Sequence, residues 1–202
     1  MKNVIMNYIN KNKFIFIIIS IIFCIGIAIG IISINMSSDV QKNEINIYIT
    51  NLLNHIKSNE NIDRIQLLFL SIKNNVLLIV IIWILGCTII GGPIIYLVIL
   101  YKGFLLGYTI SALVAVLGIK TGTLFAISSL TFQNIIFLPF IFIMAENGIM
   151  IHKDIKIRSV NLRIEVIKYT IIMFITTLVS ILASFVEVYC STSLLVTLTT
   201  FL

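Results

Sequence analysis

The chain has 202 residues, of which 59% are hydrophobic and 11% charged, with a formal charge of +6 and a mean hydropathy of +1.13. An average soluble domain has about a quarter of its residues charged, so the composition excludes a soluble enzyme and indicates an all-α, polytopic integral membrane protein. The basic excess sorts by membrane side, which leaves nucleic-acid binding without support.

A basic segment, residues 1–13, with Lys2, Lys11 and Lys13, leads into an uncharged run from Phe14 to Ile34. A bilayer core about 30 Å thick takes roughly 20 helical residues at about 1.5 Å each, so residues 14–34 form a first crossing. The run is too long for the apolar stretch of a secretory signal, and Asn35-Met36-Ser37-Ser38 makes a poor cleavage site. Gly26 and Gly30 have the GxxxG spacing that lets two helix backbones approach closely.

Residues 35–75 are the one soluble-looking stretch, too short for a core of its own. Ile45, Tyr48, Ile49, Leu52, Leu53 and Ile56 recur at helical spacing, and Ser58-Asn59 breaks the run. A second stripe, Ile62, Ile65, Leu68, Phe69 and Ile72, follows a cap expected at Asn59 or Asn61. The sequence therefore predicts two short amphipathic helices outside the cell. Their apolar faces rest on headgroups or on the crossings, or else bind a partner.

Val76 to Gly118 is a stretch of 43 residues whose one charged side chain is Lys102. It is long enough for two crossings, read as joined at Tyr101-Lys102. Gly91, Gly92 and Pro93 then fall inside the second crossing, where proline removes a backbone donor and kinks the helix. Gly103 and Gly107 repeat the GxxxG spacing. A fourth crossing runs from Thr121 to Ala145 and contains Gln133 and Asn134, whose amides must face the bundle to avoid unpaired burial. Pro139 frees the Ile135 carbonyl and kinks this helix too, so the amides are expected to satisfy the break, to glue helices together or to line a solute path. A fifth crossing, Tyr169 to Val186, completes a bundle over residues 76–187 with a basic loop at 146–168. The Ser- and Thr-rich tail, 188–202, is expected outside the cell, at the interface or on the bundle.

With the amino terminus inside, the inner segments hold Lys2, Lys11, Lys13, Lys102, Lys153, Lys156, Arg158, Arg163 and Lys168 against Glu146, Asp154 and Glu165, a balance of +6. The outer segments hold Lys42, Lys57, Arg64, Lys73 and Lys120 against Asp39, Glu44, Glu60, Asp63 and Glu187, a balance of zero. The positive-inside rule then predicts a cytoplasmic amino terminus.

On these boundaries Lys102, Lys120, Glu146 and Glu187 fall at crossing ends, and no ionisable group lies deep within a crossing. Coupled transporters and intramembrane hydrolases need such groups near the midplane, so a non-catalytic protein is expected. A channel or exporter for ions or small molecules stays open, since amides and backbone can line a pore. His55 and His152 fall on opposite sides, Cys24, Cys87 and Cys190 suggest no disulfide, and no HExxH, CxxC or GxSxG occurs. No cofactor or metal is implied.

Three segments then gain meaning together: Trp83-Ile84-Leu85-Gly86, Ile90-Gly91-Gly92-Pro93-Ile94-Ile95, and Tyr101-Lys102-Gly103-Phe104-Leu105-Leu106-Gly107-Tyr108. In order and spacing they resemble the centre of the stage II sporulation protein M family. The likeness extends to the basic amino terminus, the outer loop, Gln133-Asn134 with Pro139, and Glu187 at the last crossing. That family often has proline just before the Gln-Asn pair, where this chain has Phe132. The resemblance implies a multi-pass protein of the mother-cell or septal membrane that acts in forespore engulfment. It also implies a scaffold role for two peptidoglycan-degrading partners, stage II sporulation proteins D and P. Its outer-loop candidates for partner binding are Leu52, Leu53, Ile56, Ile65, Leu68 and Phe69. Self-association into a homo-oligomer is left open.

Overall fold

A computed structural model describes residues 2–57, 64–88, 90–157 and 162–191. Six α-helices follow one another: α1 (Lys2–Asn35), α2 (Asp39–Lys57), α3 (Arg64–Gly86), α4 (Gly91–Leu117), α5 (Ile119–Ile157) and α6 (Leu162–Val186), with a π-helical turn from Glu187 to Ser191. Among the described residues five stretches are long and apolar enough to cross a membrane: Lys13–Asn35, Arg64–Gly86, Gly91–Leu117, Gln133–His152 and Arg163–Tyr189. Helices suit hydrocarbon because their backbone groups pair internally, and Pro139 in α5 is the exception, leaving the Ile135 carbonyl without its helical donor.

The bundle is built around α4, which packs against α1, α5 and α3, while α6 closes against α3 and α5. Ile19, Ile79, Ile82, Ile95, Ile99, Phe137, Ile141 and Met144 are fully buried along its axis. Most other large apolar side chains, such as Ile21, Leu97 and Leu178, point outward and are exposed. In a bilayer this is the expected inversion, since lipid is as good an environment for them as a core.

Crossing boundaries differ from the sequence expectation: the fourth spans Gln133–His152 where Thr121–Ala145 was expected, the fifth spans Arg163–Tyr189 where Tyr169–Val186 was expected, and the second and third differ most. The second crossing begins at Arg64, twelve residues before Val76, so Ile65, Leu68 and Phe69 lie on the crossing helix α3. A crossing that turns polar side chains toward a polar interior has the same periodicity as an interfacial helix, and periodicity cannot separate the two. The link to the next crossing is the turn after Gly86, with Cys87 N–H donating to the Trp83 and Ile84 carbonyls and Gly91 N–H to Thr88 O. Tyr101-Lys102 is therefore no junction and lies inside α4.

Pro93 is the third residue of α4. In the first turn its missing N–H has no intrahelical partner to lose, so it starts the third crossing instead of kinking the second, which contains no proline. Pro139 does lie within α5, assigned as one continuous helix of 39 residues. Gly118 joins α4 to α5 at φ 81°, a left-handed conformation that only glycine adopts without strain. The expected loop at 146–168 is mostly helical, since α5 runs to Ile157 and α6 starts at Leu162; Glu146 is buried within the bundle.

Beyond α1, Ser38 caps α2. Gln41 N–H donates to Ser38 Oγ at 3.4 Å and Ser38 N–H to Gln41 Oε1 at 3.2 Å, a reciprocal capping box. Asp39 in the first turn complements the helix dipole. The Ser58-Asn59 break, the caps at Asn59 or Asn61, Ile62 and residues 192–202 of the tail lie outside the described residues.

Candidate functional site

The two GxxxG pairs meet each other. A methyl group added to Gly26 would lie 2.2 Å from the Leu100 carbonyl oxygen, and one on Gly30 would lie 2.3 Å from Phe104 O. From the other side, Gly103 would meet Phe23 O at 2.3 Å and Gly107 would meet Ile27 O at 2.2 Å. The register rises in step on both helices, so α1 and α4 run parallel with their backbones in direct contact. The glycines of the central signature work in the same way. Gly86 leaves room for the Tyr169 ring, which an added methyl would approach to 2.6 Å. Tyr169 in turn donates to Ile82 O at 2.8 Å, and Trp83 Nε1 donates to Thr170 Oγ1 at 3.2 Å. Gly92 makes space for the His152 ring, and Gly91 closes the turn against Leu85 O.

Between α3, α4, α5 and the π turn lies a cavity of about 360 Å³ lined by Ser71, Asn74, Asn75, Lys102, Ser129, Gln133 and Glu187, with Leu67, Leu70 and Val188 at its apolar margin. Asn75 is the twelfth residue of the 23 in α3 and Lys102 the twelfth of the 27 in α4, so both lie near helix midpoints. Lys102 therefore sits deep in its crossing and Glu146 is buried within the fourth, contrary to the sequence expectation, while Glu187 lies near the end of its span, Arg163–Tyr189, as expected. Lys102 escaped notice because its crossing was divided there, and Glu146 because the fourth crossing was ended at Ala145.

The cavity wall is a connected network. Ser71 Oγ lies 2.5 Å from Glu187 Oε2, to which it donates, and 2.9 Å from Ser184 Oγ. Gln133 Nε2 donates to Ser71 Oγ at 3.2 Å, and Asn75 Nδ2 donates to Ser184 Oγ at 3.2 Å. Lys102 stands apart: its ammonium is 5.7 Å from the centre of the Phe137 ring, a cation–π contact. Among the described residues it forms no ion pair with Glu187, although both groups face the same space.

Gln133 and Asn134, adjacent in sequence, go separate ways. Gln133 joins the network, whereas Asn134 Nδ2 donates to Leu130 O at 2.7 Å and its buried Oδ1 has no hydrogen bond among the described residues. Asn134 lines a different groove, apolar and about 510 Å³, between α4 and α5 beside Pro139. Neither amide goes to the Ile135 carbonyl that Pro139 leaves free.

On the far side of the membrane from the amino terminus, α2 docks through Ile49 and Ile45 onto Ile34, Tyr108, Ala112, Leu113 and Val116. Among the described side chains its other apolar residues, Val40, Ile47, Tyr48 and Leu52, are exposed. Of the outer-loop candidates, Leu52 is one of these, and the side chains of Leu53 and Ile56 lie outside the described residues. Ile65 and Phe69 are exposed on α3, with Leu68 half-buried between them.

Among the described residues no cluster of His, Cys, Asp and Glu could hold a metal ion. No curated protein and no solved structure matches the chain. A family model does, over residues 19–192, and that span includes both glycine seams, the turn at Gly91-Gly92-Pro93 and every charged residue of the cavity. The chain belongs to the family of stage II sporulation protein M, and is a sporulation-related, multi-pass helical membrane protein.

Proposed function

We propose that the protein is a non-catalytic membrane scaffold for forespore engulfment, holding the peptidoglycan-degrading stage II sporulation proteins D and P at the mother-cell or septal membrane. The observation that carries this reading is α2. The helix is clamped to the bundle through Ile45 and Ile49, yet Tyr48 and Leu52, at the edge of the same helical stripe, and Ile47, on the opposite side, remain exposed. A helix fixed in orientation with exposed apolar side chains suits a partner surface, because the bundle has already met the cost of ordering it. The wall hydrolases act outside the cell, and the positive-inside rule puts α2 there.

Replacing Tyr48 and Leu52 with Ser tests it. Each truncation removes on the order of 1.5 to 3 kcal/mol of apolar burial if the side chain is fully covered in the complex. The double variant should insert and accumulate normally while the hydrolases no longer co-purify and engulfment stalls. Unchanged co-purification and membrane migration would remove α2 as the recruiting surface.

A second reading, passage of a small solute or ion, draws support from Lys102 and Glu187 inside the bundle. It predicts flux in liposomes that falls on Gln133→Leu, whereas a scaffold gives none.

A further inference from the structure

We infer that the cavity between α3, α4, α5 and the π turn binds a small zwitterion, an ammonium joined to a phosphate or carboxylate, of the kind carried by a phosphatidylethanolamine headgroup. The walls present one cation and one anion that attract each other across the cavity but form no ion pair. Glu187 is tethered by Ser71, and Ser71 by Gln133 and Ser184, so the carboxylate is held on its own wall. Lys102 projects from α4 with an aromatic ring as its one close partner among the described residues. An ammonium near the middle of a crossing is costly unless something ionic meets it.

The charge pattern selects the ligand. A simple anion would satisfy Lys102 and be repelled by Glu187, while a simple cation would do the reverse. A zwitterion answers both at once, with its anionic end on the Lys102 ammonium and its N–H groups on the Glu187 carboxylate, as charge-assisted hydrogen bonds. Asn74, Asn75 and Ser129 supply further polar contacts. The volume, about 360 Å³, falls in the roughly 300–1,000 Å³ range of small-molecule sites. Leu67 and Leu70 are exposed and form an apolar lip toward the outer part of α3, where the rest of a lipid, or none in the case of a free zwitterion, would lie.

The experiment uses the full-length protein in nanodiscs, with bound lipid measured by native mass spectrometry against phosphatidylethanolamine, phosphatidylcholine and phosphatidylglycerol. The wild type should retain phosphatidylethanolamine at least about tenfold over the other two. Phosphatidylcholine has no N–H to give Glu187, and phosphatidylglycerol has no cation. Lys102→Met should abolish the preference. Glu187→Gln, which keeps an oxygen for Ser71 and so leaves the network intact, should remove the discrimination against phosphatidylcholine. Soluble phosphoethanolamine separates the two sources: competition with the lipid indicates a free zwitterion, and its failure indicates a headgroup recognised only in the bilayer, with the proposal supported either way. Equal retention of all three lipids by the wild type together with no binding of soluble phosphoethanolamine overturns it, as does an undiminished preference in folded Glu187→Gln.

Discussion

Gly26, Gly30, Gly103 and Gly107 each face a carbonyl oxygen of the opposite helix at a distance no side chain can share. Gly107→Leu should therefore force α1 away from α4, at a cost of about 1–3 kcal/mol or more, visible as reduced accumulation and a lower midpoint in detergent-induced unfolding. Normal values would mean that the seam can open at little cost. Tyr169→Phe removes one buried hydrogen bond, to Ile82 O at 2.8 Å, and keeps the ring between Gly86 and Gly148. The same unfolding assay should show a loss of about 1 kcal/mol, much less than Gly86→Leu, which displaces the ring. Cys87, in the turn between α3 and α4, has its thiol pushed above the ordinary range by burial. Less thiolate is then present at neutral pH, so it should react with a soluble maleimide more slowly than a model thiol, and the gap should narrow as the pH rises through the raised value. Parity at neutral pH would show the turn to be open to water. The glycine spacings were legible in sequence, but their partners were not, because GxxxG states that a close approach is allowed and says nothing about which helix makes it.

The helix α2 depends on two local devices, the Ser38–Gln41 box and the Ile49 contact. Ser38→Ala should cost about 1 kcal/mol of local helix stability, read as faster hydrogen exchange at the start of α2 with the crossings unaffected. Ile49→Ser should release the helix from Ile34 and Ala112, raising exchange along all of α2. If exchange stays slow in the second variant, something other than the apolar contact holds the helix. The box is written in the sequence as Ser38-Asp39-Val40-Gln41, a signal that the apolar periodicity overshadowed. The element boundaries after it were harder to read. Gly91-Gly92-Pro93 marks a helix start as naturally as a kink, and only the position of the α3–α4 turn distinguishes the two.

At the scale of the whole molecule, the revised crossings leave the charge asymmetry intact. Lys73, Lys102, Glu146 and Glu187 move into the membrane-spanning helices and cancel. The amino-terminal side keeps Lys2, Lys11, Lys13, Lys153, Lys156, Arg158, Arg163 and Lys168 against Asp154 and Glu165, a balance of +6, and the opposite side is neutral. The amino terminus should therefore be cytoplasmic. A cysteine replacing Thr50 on α2 should label with an impermeant maleimide in intact protoplasts, and one replacing Arg163 should be protected. The reverse pattern would invert the protein and place α2 where no wall hydrolase could reach it.

Apolar length and charge asymmetry settle the number of crossings, the helical class and the expected orientation, because the bilayer imposes a fixed thickness and forbids unpaired backbone. These are one-dimensional constraints, and they act on each segment separately. The order of Trp83-Ile84-Leu85-Gly86, Gly91-Gly92-Pro93 and Lys102-Gly103 was enough for the family. The polar cavity was decided only by tertiary structure. Ser71, Lys102, Gln133 and Glu187 come from four helical elements, and each alone reads as a residue near a helix end or as an isolated amide. Their common chemistry exists only once the Gly26–Gly107 seam, the Tyr169 contact and the turn at Gly91 fix how the helices are rotated toward one another.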